Sequence, residues 1–307
     1  METKLTERRF DNRVAVITGS GRGLGFEYAK LLASKGAKVV INDNGSALDG
    51  SGGDTSVAQQ AVDQIKAAGG EAIACTASVA TPEGGKAIID AALDSWGRID
   101  VLIHNAGNTR FDALAEITHE AFRSLIDVHL LGAFNVVQPA FPAMCKAGYG
   151  RVVLTGSIGG LYTMSQTVHY AMAKSSMIGL NNAIAIEGAE HGVKSNIILP
   201  GAVTRMSEGI DVTQFPPMDP ALVAPVVGYL AHEDCTVTAE LYAAVAGRVA
   251  RAYVTETHGI YRPGWTIDDV AENLANIRDA SNNFTFHPAE GGFGEHLGQS
   301  FGMVGSG

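Results

Sequence analysis

The chain has 307 residues, of which 46% are hydrophobic and 18% charged. That composition excludes intrinsic disorder and leaves enough chain for a large core, in one large domain or two small ones. The formal net charge of −10 repels phosphate backbones and argues against a nucleic-acid partner, while leaving room for a local basic pocket around one small phosphate.

Short β-branched runs alternate with longer Ala-rich stretches. Residues 13–18 (RVAVIT) read as a first strand, and Leu24 to Lys35 as a helix stopped by Gly36. Residues 37–43 form a second strand, and Thr55 to Ala68 a helix closed by Gly69-Gly70. Residues 71–77 form a third strand. Thr81-Pro82-Glu83 then opens a helix that ends at Gly97, with proline in the first turn. A fourth strand at 99–105 leads to a long helix from His119 to Lys146, with a break expected near Pro139 and Pro142. A fifth strand (151–157), a helix (Val168 to Glu190), a sixth strand (193–199), a helix (Ala221 to His232) and a seventh strand (240–247) follow. Asp268 to Ile277 reads as a short helix. Ser281 to Gly307 is rich in Gly, Phe and His and shows no clear period.

The strands are nearly continuous apolar runs, as expected when helices cover both faces of a sheet. The alternation predicts an α/β fold: a single Rossmann-type, doubly wound sheet of seven mostly parallel strands flanked by helices. Residues 1–265 form the expected main domain, with a C-terminal helix and Gly-rich tail over 266–307. METKLTERRFDNR at the N-terminus lacks the apolar core of a secretory signal. The longest apolar runs read as too short for a membrane span. Cys75, Cys145 and Cys235 are widely spaced and odd in number, which suggests free thiols in a reducing cytoplasm and no metal site.

The first strand runs into Thr18-Gly19-Ser20-Gly21-Arg22-Gly23-Leu24-Gly25 and then a helix. The spacing is T-G-x-x-x-G-x-G, not G-x-G-x-x-G, but the mechanics are the same. Glycines bring the backbone close to a pyrophosphate, and the helix start offers free N–H groups. Asp43 ends the second strand. A carboxylate there accepts the adenosine ribose hydroxyls and repels a 2′-phosphate, which favours NAD over NADP. Arg22 points the other way, because it can pair with a 2′-phosphate.

Tyr170 and Lys174 stand at i and i+4 on one predicted helix face, and Ser157 lies at the end of the fifth strand. A neighbouring ammonium would favour the phenolate and lower the tyrosine pKa, making Tyr170 an acid/base at neutral pH. Ser157 would steady the same substrate oxygen.

These motifs resemble the short-chain dehydrogenase/reductase family over about residues 10 to 250. The resemblance rests on Thr18 to Gly25, Asn105-Ala106-Gly107, Ser157, Tyr170-Ala171-Met172-Ala173-Lys174 and Pro200-Gly201. It implies that Gly19, Arg22, Gly23, Leu24, Gly25 and Asp43 hold the cofactor with Ser78, Val79, Asn105, Ala106 and Gly107 on the adenine side. Pro200, Gly201, Val203 and Thr204 would embrace the nicotinamide, and Tyr170 and Lys174 would reach its ribose. The family often carries an Asn where this chain has His129, which either replaces it in proton relay or is a packed helix histidine. The adenine segment Ala77-Ser78-Val79 lacks the usual Asp.

Asn42-Asp43-Asn44 with the Gly-rich stretch 45–53, Ile186-Glu187-Gly188, Arg205-Met206 and residues 223–235 are similar to the (3R)-hydroxyacyl-CoA dehydrogenase part of peroxisomal multifunctional enzymes. That similarity implies an NAD-dependent exchange of secondary alcohol and ketone on a hydroxyacyl-CoA or a hydroxysteroid. Met206, Ile210, Phe215 and Met218 after Pro200-Gly201, and Leu161, Tyr162 and Met164 after Ser157, either wall a bulky apolar pocket or belong to core or subunit contacts. The family implies a homotetramer or dimer through the 119–146 helix and the Tyr170 helix. Two other readings of the same fold are a non-catalytic NAD sensor and an epimerase or dehydratase.

Overall fold

The structure is a computed structural model that describes residues 7–208 and 211–305. The first half alternates as β1 (Val14–Thr18), α1 (Gly23–Ser34), β2 (Lys38–Asn42), α2 (Ser56–Ala67), β3 (Glu71–Cys75), α3 (Pro82–Trp96) and β4 (Val101–His104). The second half continues with α4 (His119–Ile126), α5 (Gly132–Ala147), β5 (Gly150–Thr155), α6 (Ile158–Leu161), α7 (Val168–Gly188), β6 (Val193–Gly201), α8 (Ala224–Ala231), β7 (Glu240–Val245) and β8 (Arg248–Ala252).

The strands form one sheet in the order β3-β2-β1-β4-β5-β6-β7-β8. Every pairing from β3 to β7 is parallel. The order reverses between β1 and β4, so their carboxyl ends open a crevice, which is where open α/β sheets bind ligands. Helices α1, α2 and α8 cover one face through Tyr28, Leu32, Ile65, Val227 and Leu230, packed on Ile17, Ile41 and Val153. Helices α3, α5 and α7 group separately. An eighth strand was not expected from the sequence. β7 turns into β8 through Ala246-Gly247, whose φ angles of 49° and 80° suit a two-residue hairpin.

The long helical run departs from expectation. Pro139 and Pro142 lie inside α5 without ending it, and the irregularity is instead a π-helical turn at Asp127–Leu131. Pro139 has no N–H for the Asn135 carbonyl, and a Cβ on Gly85 of α3 would overlap that carbonyl. The glycine thus lets α3 sit against the freed oxygen. His119–Ala147 is also long and apolar enough, by composition, to cross a membrane, which corrects the sequence expectation. Here it forms a layer on the sheet, with Ala133, Val136, Ala140 and Met144 buried. The three cysteines are free thiols.

The chain divides into two compact units, Met1–Arg251 and Ala252–Gly307; the sequence reading placed the division after residue 265. In the second unit, β9 (Glu256–Thr257) pairs antiparallel with β10 (Asn283–Phe284). α9 (Ile267–Ile277) starts with a reciprocal Thr266–Asp269 capping box. The expected aperiodic tail contains α10 (Gly292–Gly302). Aromatic rings cluster around it: Phe284 lies 5.0 Å from His258 and stacks on Phe286 at 5.8 Å, and Phe286 meets His296 edge-on at 5.3 Å, between ring centres.

Candidate active site

The glycine loop joins β1 to α1 at the mouth of the crevice. Gly19 has φ of +61°, and a Cβ there would lie 2.7 Å from Ala106 Cα. A Cβ on Gly25 would overlap the Gly19 carbonyl. Only glycine lets loop, helix and the Asn105-Ala106-Gly107 segment nest this closely. α1 starts at Gly23 with Arg22 as its N-cap and no side-chain cap bond, so the N–H groups of Gly23, Leu24 and Gly25 fit a pyrophosphate.

The Thr18 hydroxyl organises the opposite wall. Its oxygen accepts N–H bonds from Asn105 and Ala106, both at 3.0 Å. The hydroxyl proton then points to His104 Nδ1 at 3.2 Å, which fixes that buried ring with its proton on Nε2. The Asn105 amide donates to the Gly19 carbonyl at 2.9 Å. His104 was not among the sequence candidates. A polar Thr and a His ending two adjacent apolar strands were the available signal.

Asp43 uses both carboxylate oxygens on the backbone. Oδ2 accepts the Gly21 N–H at 3.0 Å and Oδ1 the Gly45 N–H at 2.8 Å. The Gly-rich stretch after it is tied down at two points. Thr109 N–H donates to the Leu48 carbonyl at 2.9 Å, and Arg205 Nη1 to the Ser46 carbonyl at 3.1 Å. Ser78 Oγ accepts the Ala80 N–H at 3.2 Å. The Val79 carbonyl accepts from buried Asn135 at 2.9 Å, a support for the adenine-side segment that the sequence reading missed. Pro200 and Gly201 end β6, and the Val203 N–H donates to the Met218 carbonyl at 2.7 Å. The Thr204 methyl lies 3.6 Å from where a Gly23 Cβ would be, facing the phosphate loop. Met206 and Phe215 are exposed on this segment, and Ile210 lies outside the described residues.

Ser157 follows β5 and accepts the Gly159 N–H at 3.0 Å, starting α6. A Cβ on Gly159 would lie 3.3 Å from Ser157 Oγ and 3.4 Å from the Tyr170 ring, so serine and tyrosine converge on this glycine. Lys174 is 6% exposed, and its Nζ donates to the Thr155 carbonyl at 2.7 Å, 5.9 Å from the Tyr170 ring centre. Burial lowers the Lys174 pKa to about 7. Burial also raises the Tyr170 pKa above its ordinary value, and the Ser157 hydrogen bond pulls the other way. The acidified phenol expected from the sequence is therefore not what these side chains produce by themselves. Desolvation outweighs the Ser157 hydrogen bond, and burial pushes the neighbouring amine itself toward its neutral form.

His129 sits in the π-helical turn, 5.6 Å from Tyr170 between ring centres in an edge-on contact. Its Nε2 pairs with the backbone of Asn108, 2.8 Å from the carbonyl and 3.2 Å from the N–H, and its Nδ1 is buried without a partner among the described residues. Burial and the nearby Lys174 hold its pKa well below the usual histidine range. Such π turns recur at functional sites because they re-aim one side chain. Separately, Leu161 and Met164 line an open groove of about 940 Å³ with Leu114, Val168, Ala171 and Met172, whereas Tyr162 projects outward, 75% exposed.

Residues 13–213 match the family model for short chain dehydrogenases. The Drosophila melanogaster peroxisomal multifunctional enzyme type 2 is 42% identical over 280 residues, covering 89% of this chain and 46% of that enzyme. Its full-length structure superposes with a TM-score of 0.78 at 36% identity, over 94% of this chain and 49% of that one. The Saccharomyces cerevisiae peroxisomal hydratase-dehydrogenase-epimerase is 38% identical over 291 residues, covering 91% of this chain and 32% of that enzyme. The chain thus spans half or less of these two curated relatives. A 7α-hydroxysteroid dehydrogenase structure, complexed with NADH and 7-oxo glycochenodeoxycholic acid, superposes with a TM-score of 0.70 at 25% identity, over 78% of this chain and 95% of that one.

Proposed function

The chain belongs to the short chain dehydrogenase family and acts on CH–OH groups, and from that premise we propose that it interconverts a secondary alcohol and a ketone on a bulky apolar substrate of the 3-hydroxyacyl-CoA or hydroxysteroid type. The observation that carries this reading is the convergence of Ser157, Tyr170 and Lys174 at the carboxyl edge of β5, beside the glycine loop.

A nicotinamide supplies hydride acceptance or donation when bound. Gly19, Arg22, Gly23, Leu24 and Gly25 hold its pyrophosphate, and Asp43 selects NAD over NADP by repelling a 2′-phosphate. Asn105, Ala106 and Gly107, with Ser78 and Val79, line the adenosine side. Pro200, Gly201, Val203 and Thr204 flank the nicotinamide. In ketone reduction Tyr170 Oη gives its proton to the substrate oxygen, and in alcohol oxidation it takes that proton back. Ser157 Oγ donates a hydrogen bond to the same oxygen as charge develops. Lys174 holds the ribose and, in its protonated form, adds positive charge that favours the phenolate. His129 packs edge-on against the Tyr170 ring, and its Nε2 ties the π turn to the Asn108 backbone.

Exposed Met206 and Phe215 after β6 support an apolar substrate. Exposed Leu131 and Phe134 beside the π turn support a homo-oligomer, dimer or tetramer. The free thiols support a reducing, cytoplasmic setting.

The test is NAD reduction followed by absorbance with a panel of (3R)-3-hydroxyacyl-CoA esters and hydroxysteroids. Stoichiometric NADH release is expected. NAD binding without reduction of any panel member would favour a sensor, and conversion without net NADH would favour an epimerase or dehydratase.

A further inference from the structure

Tyr170 lies in the first turn of α7, where helices fray because their leading N–H groups lack partners. Thr167, the N-cap, makes no side-chain cap bond. The residue before it, Gln166, has φ of +64°, an uncommon conformation for a side-chain-bearing residue. Such a conformation persists only where the surroundings hold it.

The holding residue is Asp112, in the loop between β4 and α4. Its N–H donates to the Gln166 carbonyl at 2.9 Å, and its backbone forms an isolated bridge with Thr167. Its Oδ2 lies 3.1 Å from Nε2 of His169, the residue next to the catalytic tyrosine and 0% exposed. A carboxylate only accepts, so Nε2 carries the proton. Arg110 approaches the same Oδ2 at 3.6 Å. One aspartate therefore grips the start of α7 on both sides of its N-cap. The same loop begins with Asn105 to Gly107 at the crevice and contains Asn108, which bonds His129.

We propose that Asp112 and His169 are positioning residues that clamp the first turn of α7 and set the Tyr170 phenol against Ser157 and the bound substrate. Neither touches the reacting atoms. The clamp aligns Tyr170 for proton transfer and leaves cofactor binding alone, since Asn105 and Ala106, at the far end of the same loop, are anchored by Thr18 and not by Asp112. The inference rests on the dehydrogenase reading above for its catalytic consequence, but not for its mechanical one.

The experiment compares wild type, H169A, H169Q, D112A and the H169A/D112A double variant. The readouts are kcat and KM for oxidation of a (3R)-3-hydroxyacyl-CoA, NAD affinity by fluorescence, and amide hydrogen exchange. The clamp requires kcat to fall tenfold or more in H169A and in D112A, with NAD Kd within twofold. It requires the double variant to lose no more than either single one, and H169Q, which can still donate to Asp112, to recover most of the rate. Exchange should accelerate in residues 166–172 and stay unchanged in the rest of α7. Wild-type kcat in H169A, additive losses in the double variant, or unaltered exchange at 166–172 would overturn it. A wild type that oxidises none of the panel defeats the dehydrogenase reading instead, and the exchange result then decides the clamp by itself.

Discussion

Lys174 Nζ donates to the Thr155 carbonyl at 2.7 Å and sits 5.9 Å from the centre of the Tyr170 ring. The two residues are one helical turn apart, and both are driven by burial toward their neutral forms. The pair therefore stores a bias: positive charge brought to this crevice by a cofactor would release the phenol proton more readily than the side chains do themselves.

Lys174 gives the first prediction. Its folded pKa of about 7 is below the ordinary 10.5, so the unfolded chain binds more protons between those values. Stability supported by this group rises with pH above about 7 and is lowest below it, by at most about 1.4 kcal/mol per pH unit. The difference in melting stability between wild type and Lys174→Met should move in favour of wild type from pH 7 to 9. A flat difference would show that the amine is not desolvated.

Thr18 gives the second. Its hydroxyl satisfies two backbone N–H groups and one imidazole nitrogen. Thr18→Val keeps the shape and strands those partners, which should cost about 2 kcal/mol or more in urea unfolding. NAD affinity should fall with it, because Asn105 and Ala106 lose their anchor.

Asp43 gives the third. Asp43→Ser keeps an oxygen for one of the Gly21 and Gly45 amides but removes the charge. The ratio of kcat/KM for NADP to that for NAD should rise at least about tenfold, equivalent to about 1.4 kcal/mol. An unchanged ratio would assign cofactor choice to Arg22 or another group.

Much of this architecture can be read from residues in order. Strands buried on both faces must be apolar throughout, so β1, β2, β4, β5 and β6 stand out in the chain. Tyr170 and Lys174 share a face because helix geometry puts i and i+4 together. What escaped depends on contacts distant in sequence. β8 reads Arg-Val-Ala-Arg-Ala, without the two-residue period of a half-buried strand, and resembles a loop until β7 pairs with it. The π turn at His129 has no period of its own, and Pro139 is tolerated only because Gly85 sits opposite. Asn135 and His169 are single polar residues in helices, and their partners, Val79 and Asp112, lie 56 and 57 positions away. The direction of the Tyr170 shift also required burial to be known, since spacing reveals the amine and not the missing water.

The most direct measurement is single-turnover kinetics of Tyr170→Phe with saturating NAD and a (3R)-3-hydroxyacyl-CoA. Removing one oxygen from a ring already packed beside His129 should leave the fold and NAD affinity intact while the rate falls by about 10²- to 10⁴-fold. A variant that binds NAD normally and turns over near the wild-type rate would contradict the assignment of proton transfer to this phenol.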